Sequence, residues 1–299
     1  MTLRRSRPIA DKLLRKLQKY QRSRVIDLSV FRAGKQHAES IQKSVVSNST
    51  LAELHPAHAP YVYAQNQLSV MAEVLTSLPE LDRLNGPLAA AEDAYMPSGP
   101  PMSPLTPSYY SCWSLFDVSV GNARETLCTA AMAVGRKLGM HENLLHLFEL
   151  MQTSHMAVYR LEGVEDQAIV LRELVTGRVC RAICPSGYRG RAGELWYARV
   201  LPPPATNFDV HVVFTTPYLL VKPSETDWLA YFDRSLPAAS SPKRNSAYEQ
   251  HMKYGPARDY WPEFVFEAYV NHEPGVIFLS GLPDVAESRP CSRVNMEDR

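Results

Sequence analysis

The sequence lacks most of the features that identify a function directly. No apolar run approaches the roughly 18 residues that a transmembrane helix needs, so no membrane span is predicted. The first residues also lack the apolar stretch of a secretory signal, and export by that route is not expected. Five cysteines in 299 residues form an odd, scattered set. They argue against a disulfide framework and predict reduced thiols in a cytoplasmic protein.

Catalytic and metal motifs are missing as well. No histidine lies in an H-E-x-x-H pattern, and Ser280 lacks the G-x-S-x-G context of a hydrolase nucleophile. Cys180 and Cys184 lie four apart in a β-rich run, roughly 13 Å along a strand, which is too far to share a zinc ion. We expect both cysteines to be buried and metal-free. The sequence therefore predicts no catalytic residue, cofactor or metal.

Positive charge is concentrated at the start of the chain. Residues 1–24 contain nine Lys or Arg and one acidic residue, a net charge of +8. The remaining residues include 23 basic and 30 acidic ones, a net charge of −7. Pro8 can begin a helix, and apolar residues follow at near-helical spacing. They are Ile9, Leu13, Leu14, Leu17 and Tyr20.

Such a helix would have one apolar and one cationic side, which leaves three interpretations open. It could dock on the protein through its apolar side, contact nucleic acid or another anionic surface, or act as a mitochondrial-type presequence. The basic residues that would make a nucleic-acid or partner contact are Arg4, Arg5, Arg7, Lys12, Arg15, Lys16, Lys19 and Arg22.

The periodicity of the chain predicts an α+β fold with a helical N-terminal half. A helix is expected near residues 62–79, before a proline-rich connector at 96–107. Asn122 and Glu125 resemble a capping box for the next helix, which Gly139 would end. A further helix is expected over 142–153.

Five short β-rich runs then predict a small antiparallel β-barrel or bent sheet, with Thr176-Gly177 as a turn. The runs cover residues 156–161, 168–175, 178–184, 194–201 and 208–214. Trp196 and Tyr197 should point to opposite faces of their strand, one inward and one outward.

The C-terminal part is predicted to be mixed α/β. Ser224 should cap a helix that buries Trp228, Leu229 and Phe232, and residues 237–244 should form a polar loop. A helix over 260–272 and a strand over 275–279 are expected to follow. The predicted organisation is thus a helical region (1–95), the connector (96–107), a helical pair with barrel and helix (108–236), and a helix–strand extension (237–299).

One stretch of the barrel offers a second candidate surface. In Ser186–Gly193 the glycines recur every third residue, which matches neither the P-loop nor the dinucleotide-binding motif. The stretch is either a structural hairpin or a loop whose Tyr188, Arg189 and Arg191 contact a ligand.

These features favour a non-catalytic binding or regulatory protein. It would contact nucleic acid or a protein partner through the basic helix and the Arg/Tyr loop. The alternative is a hydrolase-type enzyme whose site is assembled from dispersed histidine and carboxylate residues.

Overall fold

The computed structural model describes residues 7–22, 40, 45–96, 100, 102–255 and 260–283, except the side chains of residues 20–22 and 260–262. The chain forms two compact units, each assembled from separate segments. Described residues within Met1–Ala94, Tyr110–Ser154 and Leu201–Val212 make the first unit. The second unit comprises those within Tyr95–Tyr109, His155–Val200 and Val213–Arg299.

The first unit is helical, as the sequence predicts for the N-terminal half. Its helices are α1 (Pro8–Arg22), α2 (Asn48–Glu53), α3 (Ala59–Thr76), α4 (Asp82–Tyr95), α5 (Pro107–Cys112), α6 (Leu127–Leu138) and α7 (Glu142–Thr153). The last residue of α4 and the first three residues of α5 are assigned to the second unit. A 3-10 turn (Pro79–Leu81) precedes α4, and a π-helical turn (Trp113–Asp117) follows α5. Helix α3 packs against α6 and α7.

The cap of α6 differs from the prediction. Thr126, not Asn122, is the N-cap, and its side chain accepts a hydrogen bond from the backbone N–H of Thr129. The hydroxyl oxygen of Thr129 in turn accepts a hydrogen bond from the backbone N–H of Thr126, which completes a capping box. The predicted stop at Gly139 is confirmed, since this glycine ends α6 with φ +78°.

In the described part of the chain, eight strands form one sheet, and five of them close the predicted small barrel. The order is β1-β2-β3-β5-β4-β6-β8-β7, and the additional pairing of β1 with β4 closes the barrel. The α+β prediction is therefore confirmed. The strands are β1 (Met156–Glu165), β2 (Ala168–Glu173), β3 (Val179–Ile183), β4 (Leu195–Leu201), β5 (His211–Val213), β6 (Tyr218–Lys222), β7 (Tyr269–Glu273) and β8 (Val276–Ser280). Strand β1 pairs antiparallel with both β2 and β4.

Both faces of β4 are covered, so the ring on its outward face is buried as well as the ring on its inward face. Trp196 and Tyr197 point to opposite faces, yet both are buried. Tyr197 packs beside Tyr109 and Tyr218, while the Trp196 ring lies against Tyr188. Cys180 in β3 and Cys184 just after this strand were expected to be buried, but both are half-buried.

Three elements of the second unit depart from the sequence prediction. Helix α8 (Glu225–Ser235) is capped by Ser224 as expected, but it buries Tyr231 where Leu229 was predicted. The sequence indicated neither strand β6 nor helix α9 (Arg244–Tyr254).

The predicted helix over 260–272 is shorter than expected. Helix α10 (Tyr260–Glu267) ends early, and residues from Tyr269 pair with β8 instead. Pairing with a neighbouring strand here outweighs the local helical pattern.

Candidate functional site

Helix α1 is held to the first unit by the apolar side that its sequence predicts. Ile9, Ala10 and Leu13 are buried, and the helix packs against α6 and the 3-10 turn. Leu14 and Leu17 are half-buried at the edges of this contact. The docking geometry thus follows from the spacing of apolar residues along the helix.

The N-terminus of α1 is bound by a carboxylate from another part of the chain. Glu125, only 2% exposed, accepts hydrogen bonds from the backbone N–H groups of Ile9 (3.1 Å) and Ala10 (2.9 Å). The first N–H groups of a helix have no partner within the helix, and the helix dipole favours a negative charge at this end. The protein therefore fills this potential phosphate site with its own side chain.

The opposite side of α1 presents a row of cations. Lys12, Arg15 and Lys19 are exposed at positions i, i+3 and i+7, which places them on one side of the helix, here named the basic face. Arg15 Nε donates a hydrogen bond to the backbone oxygen of Asp11 at 3.2 Å. Lys16 lies at the edge and forms an ion pair with Glu80 at 3.1 Å.

The other N-terminal candidates fall at the margins of the described segment. Arg7 is exposed immediately before α1. Arg4 and Arg5 lie outside the described residues, and Arg22 ends the helix without a described side chain. The described basic face consequently rests on Lys12, Arg15 and Lys19.

The second candidate surface is the barrel loop, residues 184–194, in the second unit. It connects β3 to β4, but β5 lies between these strands in the sheet, so the loop is a crossover and not a hairpin. Backbone hydrogen bonds hold both ends, from Gly187 N to Cys184 O (3.0 Å) and from Gly193 N to Leu161 O (2.7 Å). The loop is therefore fixed on its own barrel.

The side chain of Tyr188 already contacts other residues of the barrel. Its ring lies 5.4 Å from that of Trp196, and its hydroxyl donates a hydrogen bond to the Glu194 carboxylate at 3.2 Å. Burial and the nearby Glu194 charge raise the pKa of Tyr188 to about 12. Arg189 and Arg191 are exposed, with Arg189 Nη1 3.4 Å from the backbone oxygen of Asp166. The two arginines are thus the available contact groups of the loop.

A buried charge cluster in the second unit was not predicted. Glu173, 2% exposed at the end of β2, binds the hydroxyl of Thr176 and lies 3.1 Å from Arg178. His155 Nε2 is 3.6 Å from the same carboxylate. Burial raises the pKa of Glu173, but His155, Thr176 and Arg178 together hold it below the usual range. No spacing in the sequence indicates this cluster, because it is brought together by the start of β1, the end of β2 and the turn between β2 and β3.

The cluster does not activate the neighbouring thiol. Burial, assisted by the Glu173 charge, raises the pKa of Cys180 to about 11. A nucleophilic cysteine requires the opposite shift. Cys180 is therefore a protonated thiol at neutral pH.

The remaining histidines take local structural roles where their contacts are described. His141 caps α7 by accepting the N–H of Asn143 at 3.2 Å, and His55 Nδ1 accepts the N–H of Ala57 at 3.1 Å. Burial and the neighbouring His55 lower the pKa of His58 to about 4. In the parts of the chain that the structure describes, no three His, Cys, Asp or Glu side chains group as a metal site.

Comparison with known proteins gives no further assignment. No family model, no curated protein and no solved structure matches this chain. Within the described ranges, no helix combines the length and apolar character that membrane crossing requires.

Proposed function

We propose that this chain is a non-catalytic binding protein that contacts nucleic acid through the basic face of α1. The observation that supports the proposal is the division of this helix into two sides. Ile9 and Leu13 fix its orientation, while Lys12, Arg15 and Lys19 extend into solvent together. An array of cations on a fixed helix suits the phosphate backbone, whose contacts supply most sequence-independent affinity.

The exposed arginines of the barrel loop are proposed as a second, weaker contact. Arg189 and Arg191 can bind phosphate oxygens through their planar guanidinium groups. The ring of Tyr188 already packs on Trp196, so it contributes less to base stacking than an unpacked ring would.

The salt dependence of binding to duplex DNA tests the proposal. If each residue of the basic face neutralises one phosphate, the face accounts for a log–log slope of about −2.7. Changing Lys12, Arg15 and Lys19 together to Ala should remove about this much of the slope in a fluorescence anisotropy titration. Alanine favours helix, so α1 should persist in this variant.

A matched control removes the same charge elsewhere. Arg83, Lys137 and Lys222 are exposed cations outside α1, and their joint change to Ala also lowers the net charge by three. The control should keep nearly the wild-type slope. Equal losses in both variants would show a general charge effect and contradict the proposed site. Changing Arg189 and Arg191 to Ala should reduce the slope by less than the α1 variant does.

A protein partner with an acidic surface is the alternative occupant of the basic face. Poly-glutamate serves as a probe for an acidic protein surface in the same titration. Binding of poly-glutamate that needs Lys12, Arg15 and Lys19, without binding of DNA, would favour the protein partner.

We propose that the protein is cytoplasmic, because its described cysteines are free thiols.

The hydrolase alternative gains no specific support from the described residues. His155 and Glu173 do meet, but the carboxylate is buried and held by Thr176 and Arg178. The pair therefore serves to hold the turn after β2.

A further inference from the structure

A cavity of about 320 Å³ lies within the first unit, between α3, α4, α5, the π-helical turn and the start of α6. This volume falls in the range of about 300–1,000 Å³ that small-molecule sites occupy. The cavity takes no part in the function proposed above.

The walls of the cavity are acceptor-rich and acidic. Glu73 and Glu92 are its charged lining residues, and neither forms an ion pair among the residues that the structure describes. None of the lining residues described is a lysine, arginine or histidine. Charge therefore favours a cationic occupant.

A buried acceptor in the same wall lacks a partner. Asn85 lines the cavity, and its Nδ2 donates a hydrogen bond to the backbone oxygen of Thr76 at 2.7 Å. This contact leaves Oδ1 as the acceptor, which is buried and has no hydrogen-bond partner among the described residues. A buried acceptor without a partner is unfavourable, and a ligand N–H group that reached Oδ1 would supply the missing hydrogen bond.

The hydroxyl groups of the cavity add further acceptors. Tyr110 donates its proton to the backbone oxygen of Leu88 at 3.2 Å, and Ser114 donates to that of Ser111 at 3.1 Å. Both hydroxyl oxygens keep lone pairs for another donor. Burial and the Glu92 charge raise the pKa of Tyr110 to about 12, so this hydroxyl stays protonated at neutral pH.

The rest of the lining is apolar. Leu88, Leu115 and Leu127 share the cavity with two alanines. A hydrocarbon chain can pack on such a surface while its charged end meets the carboxylates.

From these features we infer that the cavity binds a small organic amine, with ammonium N–H groups toward Glu73, Glu92 and Asn85 and a short hydrocarbon chain against the leucines.

The test uses the full chain and four small probes in calorimetric or NMR titrations. The probes are 1,4-diaminobutane, n-butylamine, n-butanol and butyrate. At about 0.15 M salt the Debye length is about 8 Å, which suppresses distant surface attraction. We expect 1:1 binding of the two amines, with the diamine tighter, and much weaker binding of the alcohol and the carboxylate.

Three variants locate the site. Glu73→Gln combined with Glu92→Gln should weaken diaminobutane binding about five- to tenfold, in keeping with two solvent-accessible ion pairs. Ser69→Trp should block the cavity from the exposed side of α3 and abolish binding. Glu53→Gln removes an exposed carboxylate outside the cavity and should change nothing.

Three outcomes would overturn the inference. They are the absence of amine binding to the wild-type protein, equal binding of butanol and butylamine, and binding that survives both cavity variants. Because Ser69→Trp leaves the charges intact and the double Gln variant leaves the space intact, a folding defect in one would still leave the other as a test.

Discussion

Replacing Glu125 with alanine should release helix α1 from the first unit. The Glu125 carboxylate is the acceptor for the N–H groups of Ile9 and Ala10, at 3.1 and 2.9 Å. A hydrogen bond to a charged group contributes about 1.5–3 kcal/mol, and both bonds are lost together. Some of that loss is recovered when water hydrates the freed N–H groups. We therefore expect the docking of α1 to weaken by about 3 kcal/mol.

Hydrogen exchange of the α1 backbone measures this change directly. A loss of 3 kcal/mol in local stability corresponds to roughly 100-fold faster exchange of the amides that open with the helix. Urea unfolding should show a smaller free energy of unfolding as well, since Ile9 and Leu13 are 6% and 3% exposed when docked. Glu125→Gln keeps one acceptor oxygen without the charge, and it should produce about half of the effect.

Glu142→Ala is the matched control, because it removes an exposed carboxylate from the first turn of α7 in the same unit. It should leave exchange in α1 unchanged. Unaltered α1 exchange in Glu125→Ala, or equal effects in the two variants, would refute the role given to the Glu125 carboxylate.

Two further predictions concern the second unit. Gly190→Ala should destabilise the protein by about 2–4 kcal/mol in thermal or urea unfolding, because φ is +64° and the new Cβ would lie 2.8 Å from Trp196 Cζ2. Gly193→Ala, where φ is +92° but nothing lies within 4 Å, should cost only about 1–2 kcal/mol; equal losses would contradict the packing argument. Glu173→Gln should lower the free energy of unfolding at pH 7 by about 2 kcal/mol. Because the folded-state pKa of Glu173 is depressed, its stabilisation is present above the unfolded-state pKa of about 4.3 and disappears as the pH falls through the folded-state value. The free energy of unfolding should therefore fall less steeply with decreasing pH in Glu173→Gln than in the wild-type protein. An equally steep fall in both proteins would contradict the stabilising role of the Glu173 charge.

The parts of the fold that were predictable are those fixed by neighbours in sequence. Pro8 and the apolar spacing after it place the start and the buried side of α1. Gly139 ends α6 because a left-handed residue is needed there. Alternating apolar residues likewise identify the barrel strands.

The parts that escaped prediction depend on partners far along the chain or on local competition. Helix α9 is mostly polar and buries few large side chains, Tyr248 and Met252 among them, so its sequence resembles a loop. Asn122 and Thr126 are both acceptable caps, and the position of the helix decides between them.

The candidate sites show the same division. The basic face follows from spacing within one helix. The Glu125 contact joins residues 115 and 116 positions apart, and the cavity needs side chains from four helices and a π-helical turn. Neither could be seen without the fold.

The segmented build of the two units has a consequence for synthesis on the ribosome. The first unit includes Leu201–Val212, and within it the hydroxyl of Tyr61 binds the backbone oxygen of Pro202 at 2.7 Å. These residues are 141 positions apart, so at about 5–20 residues per second Pro202 emerges roughly 7–28 s after Tyr61. During that interval the N-terminal helices exist without a segment that completes their unit. A nascent chain truncated before residue 201 should therefore remain a substrate for chaperones and proteases, even though most of the first unit has been made.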